Sequence, residues 1–342
     1  MILRKTIGID LGTDTTQVYL GGSGIVVNEP SIVAFNNLTN KIVAVGLEAK
    51  KMLSRTPAHI TVLRPIGNGV IADFDMVKEM IQSFLHREHF PWSWITRVIV
   101  SVPTNLTEVE RKSVEDLLRE VGANPVYLVE QPIAAALGSR LDIHQPTAHL
   151  IVNIGAGVTD IAMLSLSGVV VSKRLKIAGD YFNNEIIRGV REELKLSIGE
   201  QTAEEIKVEV GSVIPMNEKL EFVIRGRDLQ NGLPREAVIK DNQVRFWLTR
   251  PAKLIVDAIK DVVENAPPEL VGDVYKNGVY FCGGGSMLRG ISQLAAKEIG
   301  VPVMVIEDPL TCVARGTGVF CDKFEDHKHL LGSFIRGAGT DS

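Results

Sequence analysis

Cysteine is scarce in this chain of 342 residues. Three occur, Cys282, Cys312 and Cys321, and none forms a CxxC pair. A disulfide framework is excluded, and a reducing compartment with buried or idle thiols is expected. No sign of charge dominates. Lysine and arginine number 37 against 41 aspartate and glutamate, a net charge of −4, so a mainly electrostatic nucleic-acid binder is not expected. A long unbroken apolar run is also missing. The stretch 150–171 comes nearest, yet it carries Asn153, Thr159, Asp160 and three glycines, and it reads as two strands around a turn, not as a membrane helix. Neither GxxxxGK[ST] nor a GxGxxG after the first strand occurs, which argues against P-loop and ordinary dinucleotide folds. Residues 1–6 lead straight into a strand-like run, so no signal peptide is expected. Low-complexity sequence is confined to the polar tail from Gly337.

What is there is enough apolar residue, 45% over this length, for about two domains. The most informative feature is an internal echo. Residues 7–27 read IGIDLGTDTTQVYLGGSGIVV and residues 151–171 read IVNIGAGVTDIAMLSLSGVVV. Each has an apolar strand, Asp or Asn, a glycine turn with threonine, a second apolar strand, another turn and a third β-branched run. Asp10 matches Asn153, and Gly12 matches Gly155. Two hairpins of one design, each opening half of the chain, suggest a duplicated architecture.

Strands and helices then alternate in both halves. Helices are expected over Met76–Arg87, from a Thr107–Glu110 capping box to Val121, after Pro132, over Asp180–Leu196, over Arg250–Glu264 and from Ile291. Strands are expected at Arg97–Pro103, Val126–Val129 and Gly278–Cys282. The pattern predicts α/β layers. Three glycine turns follow strands: Gly12-Thr13-Asp14-Thr15, Gly155-Ala156-Gly157-Val158 and Gly283-Gly284-Gly285-Ser286. Backbone N–H groups at such turns approach anions closely and suit phosphates. Two hairpins from two halves would grip phosphates from opposite sides, with the third turn bordering a nucleoside.

With these motifs the chain resembles the actin superfamily, and within it the MreB/Mbl family. Residues 7–13, the run GIVVNEPS at 24–31, VGLEAK at 45–50, Arg64-Pro65 and GVIAD at 69–73 carry the resemblance. So do IAGD at 177–180, IGEQTAEEIK at 198–207, Pro268-Glu269-Leu270, GGGSMLRG at 283–290 and residues 309–318. It extends to about residue 325. It implies an actin-like duplicated α/β fold with ribonuclease-H-like halves around a central nucleotide cleft. One half would comprise residues 1–145 and about 312–342, with a small insert near 32–75. The other would comprise 146–311, with an insert near 181–245. The resemblance further implies ATP or ADP with Mg²⁺ and double protofilaments of the chain itself. It places them in the cytoplasm, on the inner face of the membrane, with a role in cell shape and peptidoglycan synthesis. Other family copies and wall-synthesis proteins are implied partners, and nucleic acid is not.

The resemblance assigns phosphate and nucleotide contacts to Gly12, Thr13, Asp14, Thr15, Gly155, Ala156, Gly157, Gly179 and Asp180. It assigns the nucleoside side to Glu204, Glu205, Lys207, Gly283, Gly284, Gly285, Ser286 and Met287. Catalytic positions are Asp10, Glu130, Gln131, Asn153, Val158 and Thr159, with Asp10 and, through water, Asn153 at the metal. Several of these depart from the family pattern. Asn153 stands where Asp is usual and Gln131 where Glu is usual. Val158 replaces a threonine hydroxyl. Asp14 replaces alanine, placing a carboxylate near phosphates unless it points away or faces a cation. Losing one positioned group in such a site costs on the order of 10²–10³ in rate, so slow hydrolysis is one expectation and ordinary drift with activity kept is the other. Glu204 and Lys207, three apart on an expected helix, read as a nucleoside contact, or as a solvated ion pair.

Between two expected elements lies HFPWSWI at 89–95. Phe90, Trp92, Trp94 and Ile95 suit a membrane interface, and the resemblance places a membrane-insertion loop there. The other reading is a loop folded over the core. Sugar and acetate kinases share the duplicated fold but need a second substrate site that no motif marks. Large heat-shock chaperones carry a further peptide-binding domain that these residues do not supply.

Overall fold

The computed structural model describes residues 5–88 and 95–331. Val, Ile and Leu between glycine turns fold the first residues into an antiparallel meander of β1 (Lys5–Leu11), β2 (Thr15–Leu20) and β3 (Gly24–Pro30). An excursion follows through β4 (Val33–Asn36), β5 (Lys41–Val45), α1 (Leu47–Met52) and β6 (Ile60–Leu63), whose strands pair in the order β5-β4-β6. The small hairpin β7 (Ile66–Gly67) and β8 (Val70–Ile71) turns at Asn68 and Gly69, both at positive φ. Helix α2 (Phe74–Arg87) starts two residues before the expected Met76, because the Asp73 side chain accepts from Met76 N and caps it. Strand β9 (Ile95–Val102) returns parallel to β1. The expected capping box of Thr107 and Glu110 opens α3 (Glu108–Val121), and left-handed Gly122 closes it. Strand β10 (Val126–Glu130) and α4 (Gln131–Gly138), with proline in its first turn, follow. The sheet order is β10-β9-β1-β2-β3.

The second half repeats this plan. The meander is β11 (His149–Ile154), β12 (Thr159–Ser165) and β13 (Gly168–Leu175), so the apolar stretch 150–171 spans two strands and opens a third. Helix α5 (Gly179–Leu194) stops before the expected Leu196. Lys195 turns left-handed at φ 52°, and Leu196 enters β14 (Leu196–Ser197), paired with Asp228. Then come α6 (Glu200–Val210), β15 (Glu221–Asp228) and β16 (Pro234–Lys240). Helix α7 (Asp241–Glu264) begins nine residues before the expected Arg250 and runs through Pro251. Proline inside a helix costs about 3 kcal/mol. Buried Val244, Trp247 and Leu248 on that first stretch outweigh it by packing into the core. The chain continues through α8 (Pro268–Asn277), β17 (Val279–Cys282), a 3₁₀ turn over Gly284–Met287, α9 (Ile291–Ile299) and β18 (Val303–Val305). Sheet order here is β13-β12-β11-β17-β18. In both sheets the first strand pairs antiparallel with the second and parallel with a later strand, so the two topologies are the same.

Helices α10 (Cys312–Asp322) and α11 (Phe324–His327) follow, and a 3₁₀ turn over 328–331 ends the described residues. Each sheet has its own apolar cluster, and a third joins them through Ala134–Ala136, Ile151, Cys282, Cys312 and Phe320. Helices α4 and α10 form the heart of that seam. A Cβ on Gly138 would strike the Cys312 carbonyl, and one on Gly316 would strike the Ala134 carbonyl. The two glycines let the helix backbones touch. The architecture is an actin-like duplicated α/β fold, and the two β-hairpin turns that open its halves face one cleft. Among the described residues, no helix is long and apolar enough to cross a membrane.

Candidate functional site

The cleft holds a cavity of about 520 Å³, within the range of small-molecule sites. Its two hairpin turns are closed by the same hydrogen bond, Gly12 N to Thr15 O at 3.1 Å and Gly155 N to Val158 O at 2.9 Å. The first is fixed from behind by Ser31, which donates from its hydroxyl to Gly12 O at 2.7 Å and from its backbone to Asp14 O at 2.8 Å. The second is fixed by the start of α5, where Gly179 N and Asp180 N donate to Gly155 O and Ala156 O at 3.0 and 2.8 Å. Gly283, at φ 77°, leaves β17 beside Asn153. A Cβ there would lie 2.6 Å from Asn153 Oδ1, so only glycine lets the third turn reach the cleft.

Paired strand positions set the cleft floor. Asp10 on β1 lies opposite Ser101 on β9, and Asn153 on β11 lies opposite Cys282 on β17, the equivalent pair in the repeat. Ser101 Oγ donates to Asp10 Oδ1 at 2.5 Å and Gln131 Nε2 donates to the same oxygen at 3.5 Å. Asn153 Nδ2 donates to Gln131 Oε1 at 3.2 Å. One carboxylate thus accepts a chain of two amides that spans both halves. Burial pushes the Asp10 carboxyl up to about 6, against the pull of Ser101 and Gln131. Val158 packs its methyls on the β7–β8 turn: a Cβ on Gly69 would meet Val158 at 3.1 Å and Pro103 at 2.9 Å. Thr13 Oγ1 accepts from Gly69 N at 3.0 Å on the opposite side.

On the far wall, Lys207 Nζ donates to Gly179 O at 3.2 Å and to Glu204 Oε2 at 2.7 Å, and Asn183 donates to that carboxylate at 2.8 Å. Burial raises the Glu204 carboxyl, but Lys207 and Asn183 outweigh it and leave it below its ordinary range. Exposed Val208, Met287 and Leu310 form an apolar rim, suited to the face of a flat ring.

The structure brings Asp10, Gly12, Thr13, Asp14, Thr15, Gln131, Asn153, Gly155, Ala156, Gly157, Val158, Gly179, Asp180, Glu204, Lys207, Gly283, Gly284, Gly285 and Met287 together around this cavity. Four expected residues stand off its lining. Glu130 is half-buried behind the floor, and burial raises its carboxyl. Thr159 is buried and donates to Ile177 O at 2.6 Å. Glu205 is exposed and accepts from Gln201 at 3.3 Å. Ser286 is buried and donates to Gly283 O at 2.6 Å, bracing the third turn. Phe90, Trp92 and Trp94 lie outside the described residues, as does the side chain of Ile95. Residues with no site role assigned from the sequence also reach the site, although Arg64, Gly69 and Arg289 stand in motifs that carry the resemblance. Ser101 bonds Asp10, Gly69 and Arg289 line the cavity, and Arg64 joins the Asp14 and Asp180 carboxylates. A polar residue alternating with valines on β9 was the only local signal for Ser101.

A family model described as MreB/Mbl protein matches residues 4–329. The cell shape-determining protein Mbl of Bacillus subtilis (strain 168) is 43% identical over 325 residues, covering 95% of this chain and 98% of its own length. The crystal structure of MreB 5 of Spiroplasma citri bound to AMPPNP superposes with a TM-score of 0.90 at 35% identity, over 96% of this chain and 98% of its own, and the same protein bound to ADP gives 0.90. The MamK double helical filament matches with a TM-score of 0.77 at 22% identity, over 92% of this chain and 97% of its own, a likeness of fold alone.

Proposed function

Because the chain belongs to the MreB/Mbl family of actin-like cytoskeletal proteins, we propose that its cleft binds ATP and ADP and that the bound nucleotide governs its assembly into filaments. On this reading the filaments are paired and lie on the inner face of the cell membrane, where they organise cell shape and guide peptidoglycan synthesis. Other family copies and wall-synthesis proteins would share that surface. The observation that carries the reading is the pair of equivalent hairpin turns, Gly12–Thr15 and Gly155–Val158, facing one cavity from two halves. Likeness to a protein solved with AMPPNP and with ADP supports it.

The chain's own groups fit such a ligand. Backbone N–H groups in the middle of both turns suit phosphates, while Gly179 N and Asp180 N at the start of α5 hold the second turn in place. Lys207 adds a cation on the far wall, and Val208, Met287 and Leu310 receive the base. Among the described residues no three His, Cys, Asp or Glu side chains could hold a metal by themselves. A magnesium ion held by one carboxylate, waters and the ligand's own phosphates is the usual arrangement for this ion, and Asp10 is the carboxylate available. When bound, that ion would neutralise charge developing on the phosphates.

A second reading, slow hydrolysis, rests on the floor. Asn153 donates to Gln131 and Gln131 to Asp10, neither amide is a proton acceptor of carboxylate strength, and Val158 turns methyls toward Gly69. Binding and assembly then outlast turnover. Electron microscopy on anionic vesicles, with ATP, with ADP and without nucleotide, tests the main reading. Paired filaments with ATP and few otherwise are expected; filaments in all three conditions would uncouple assembly from nucleotide. Trp92→Ala with Trp94→Ala is expected to abolish vesicle binding and leave folding intact. A single-turnover phosphate release as fast as that of Bacillus subtilis Mbl would sink the second reading.

A further inference from the structure

Asp14 is an unwelcome residue for a phosphate loop. It lines the cavity between Gly12 and Thr15, its side chain 42% exposed, on the loop that the proposed reading turns toward the anionic part of the ligand. A carboxylate there repels phosphate unless a cation faces it. Arg64 supplies that cation from outside the cavity lining. It sits between the end of β6 and Pro65, whose carbonyl is held by Ala72 N and Asp73 N at 2.9 and 3.1 Å. Arg64 Nη2 reaches Asp14 Oδ1 at 3.3 Å. Its Nη1 lies 3.5 Å from Asp180 Oδ1 and also donates to Glu200. Asp180 opens α5 and Glu200 opens α6, both in the other half. One planar fork therefore meets three carboxylates from both walls of the cleft, a geometry that suits guanidinium and not ammonium.

Resting on the nucleotide reading, we propose that Arg64 is a positioning residue for the nucleotide: it neutralises Asp14 so that the first loop can accept phosphates, and it ties that loop to the second half through Asp180 and Glu200. The two parts of this role separate by experiment. Shielding of Asp14 matters only to a charged ligand and only while Asp14 is charged. Bracing of the cleft matters to any ligand and does not depend on residue 14.

The test is a double-mutant cycle of Arg64→Met and Asp14→Ala, read as affinity for ATP, ADP and adenosine, with melting curves to establish folding. Arg64→Met is expected to weaken ATP binding about tenfold, ADP less and adenosine least, the adenosine loss being the share that bracing carries. Asp14→Ala in the same chain is expected to restore part of the ATP affinity and none of the adenosine affinity, because the ties to Asp180 and Glu200 stay lost. Arg64→Lys keeps a charge but loses the fork, and is expected to fall between. Equal losses for ATP and adenosine, or no rescue by Asp14→Ala, would overturn the proposal while leaving the nucleotide reading intact. An unaltered chain that binds neither ATP nor ADP would overturn both. Should Arg64→Met not fold, the Asp14→Ala and Arg64→Lys arms still decide: Asp14→Ala with wild-type affinity and Arg64→Lys with a larger loss for ATP than for adenosine support shielding, and an equal loss refutes it.

Discussion

Asp160 is fully buried on β12 and only half satisfied. Its Oδ1 accepts from Thr104 Oγ1 at 2.8 Å, whereas its Oδ2 is buried without a hydrogen-bond partner. Burial lifts this carboxyl from 3.8 to about 6, with Thr104 and Arg174 pulling the other way. Since the folded value exceeds the unfolded one, the folded state holds the extra proton between them. Stability is then greatest below about 4 and falls as pH rises toward 6. The full penalty, roughly 3 kcal/mol, is in place at neutral pH. Asp160→Asn keeps the acceptor for Thr104 and removes the charge. Denaturant unfolding is expected to show the variant about 2 kcal/mol more stable at pH 7.5 and no more stable at pH 4; a gain independent of pH would refute burial as the cause. The same scale shows what local sequence can and cannot reveal. Asp14, Gln131, Asn153 and Val158 stand out as departures by identity alone. That Asp14 meets Arg64, 50 positions on, or that Asn153 donates to Gln131, is fixed by tertiary approach. Glu205 and Ser286 share motifs with cleft residues, yet one helical step turns Glu205 outward and Ser286 folds inward as a brace.

Helices α4 and α10 decide how the halves meet, and glycine decides how α4 and α10 meet. Gly138 faces the Cys312 carbonyl and Gly316 faces the Ala134 carbonyl, so a methyl at either position has only backbone to push against. Gly316→Ala is expected to lose at least about 2 kcal/mol by denaturant midpoint, because two helix backbones must shift together. Gly272 in α8 is the contrast: a Cβ there meets nothing within 4 Å. Gly272→Ala is expected to gain about 0.5–1 kcal/mol through helix propensity. Equal effects at the two sites would mean that close helix approach carries no weight. Elements with a local signature were legible: the hairpins by their turns, α3 by its capping box, α9 by its start at Ile291. Helix α7 was legible only from Arg250 on, because Pro251 reads as a first-turn proline and only the packing of Val244, Trp247 and Leu248 extends the helix ahead of it. Helix α5 was overrun by two residues for the converse reason, since the pairing of Leu196 with Asp228 is non-local.

At the scale of the whole molecule, the repeated hairpin foretold two equivalent sheets, but nothing in the repeat foretold how tightly they close. Closure rests on polar contacts between the halves that supplement the apolar seam. Thr104 reaches Asp160, Asn105 Nδ2 donates to Ser172 Oγ at 3.0 Å, and Asn153 donates to Gln131. Arg174 on β13 donates to Asn68 O at 2.8 Å. The last contact matters most for the cleft, because the Asn68–Gly69 turn is wedged between both phosphate-type loops. Thr13 holds Gly69 N on one side, and a Cβ on Gly157 would lie 3.0 Å from Asn68 N on the other. Arg174 therefore pins, from the second half, a turn of the first half that touches both loops. Arg174→Met keeps the apolar stem and removes the donor. Exposure limits the effect to roughly three- to tenfold, the worth of one solvent-accessible charged hydrogen bond. Without nucleotide, amide hydrogen exchange over residues 66–71 is expected to accelerate by that factor, while exchange in β9 and β11 stays unchanged. Saturating ATP is expected to restore protection, since a ligand gripped by both loops replaces the lost tie with its own. Acceleration that ATP does not reverse would place the turn outside the ligand's influence.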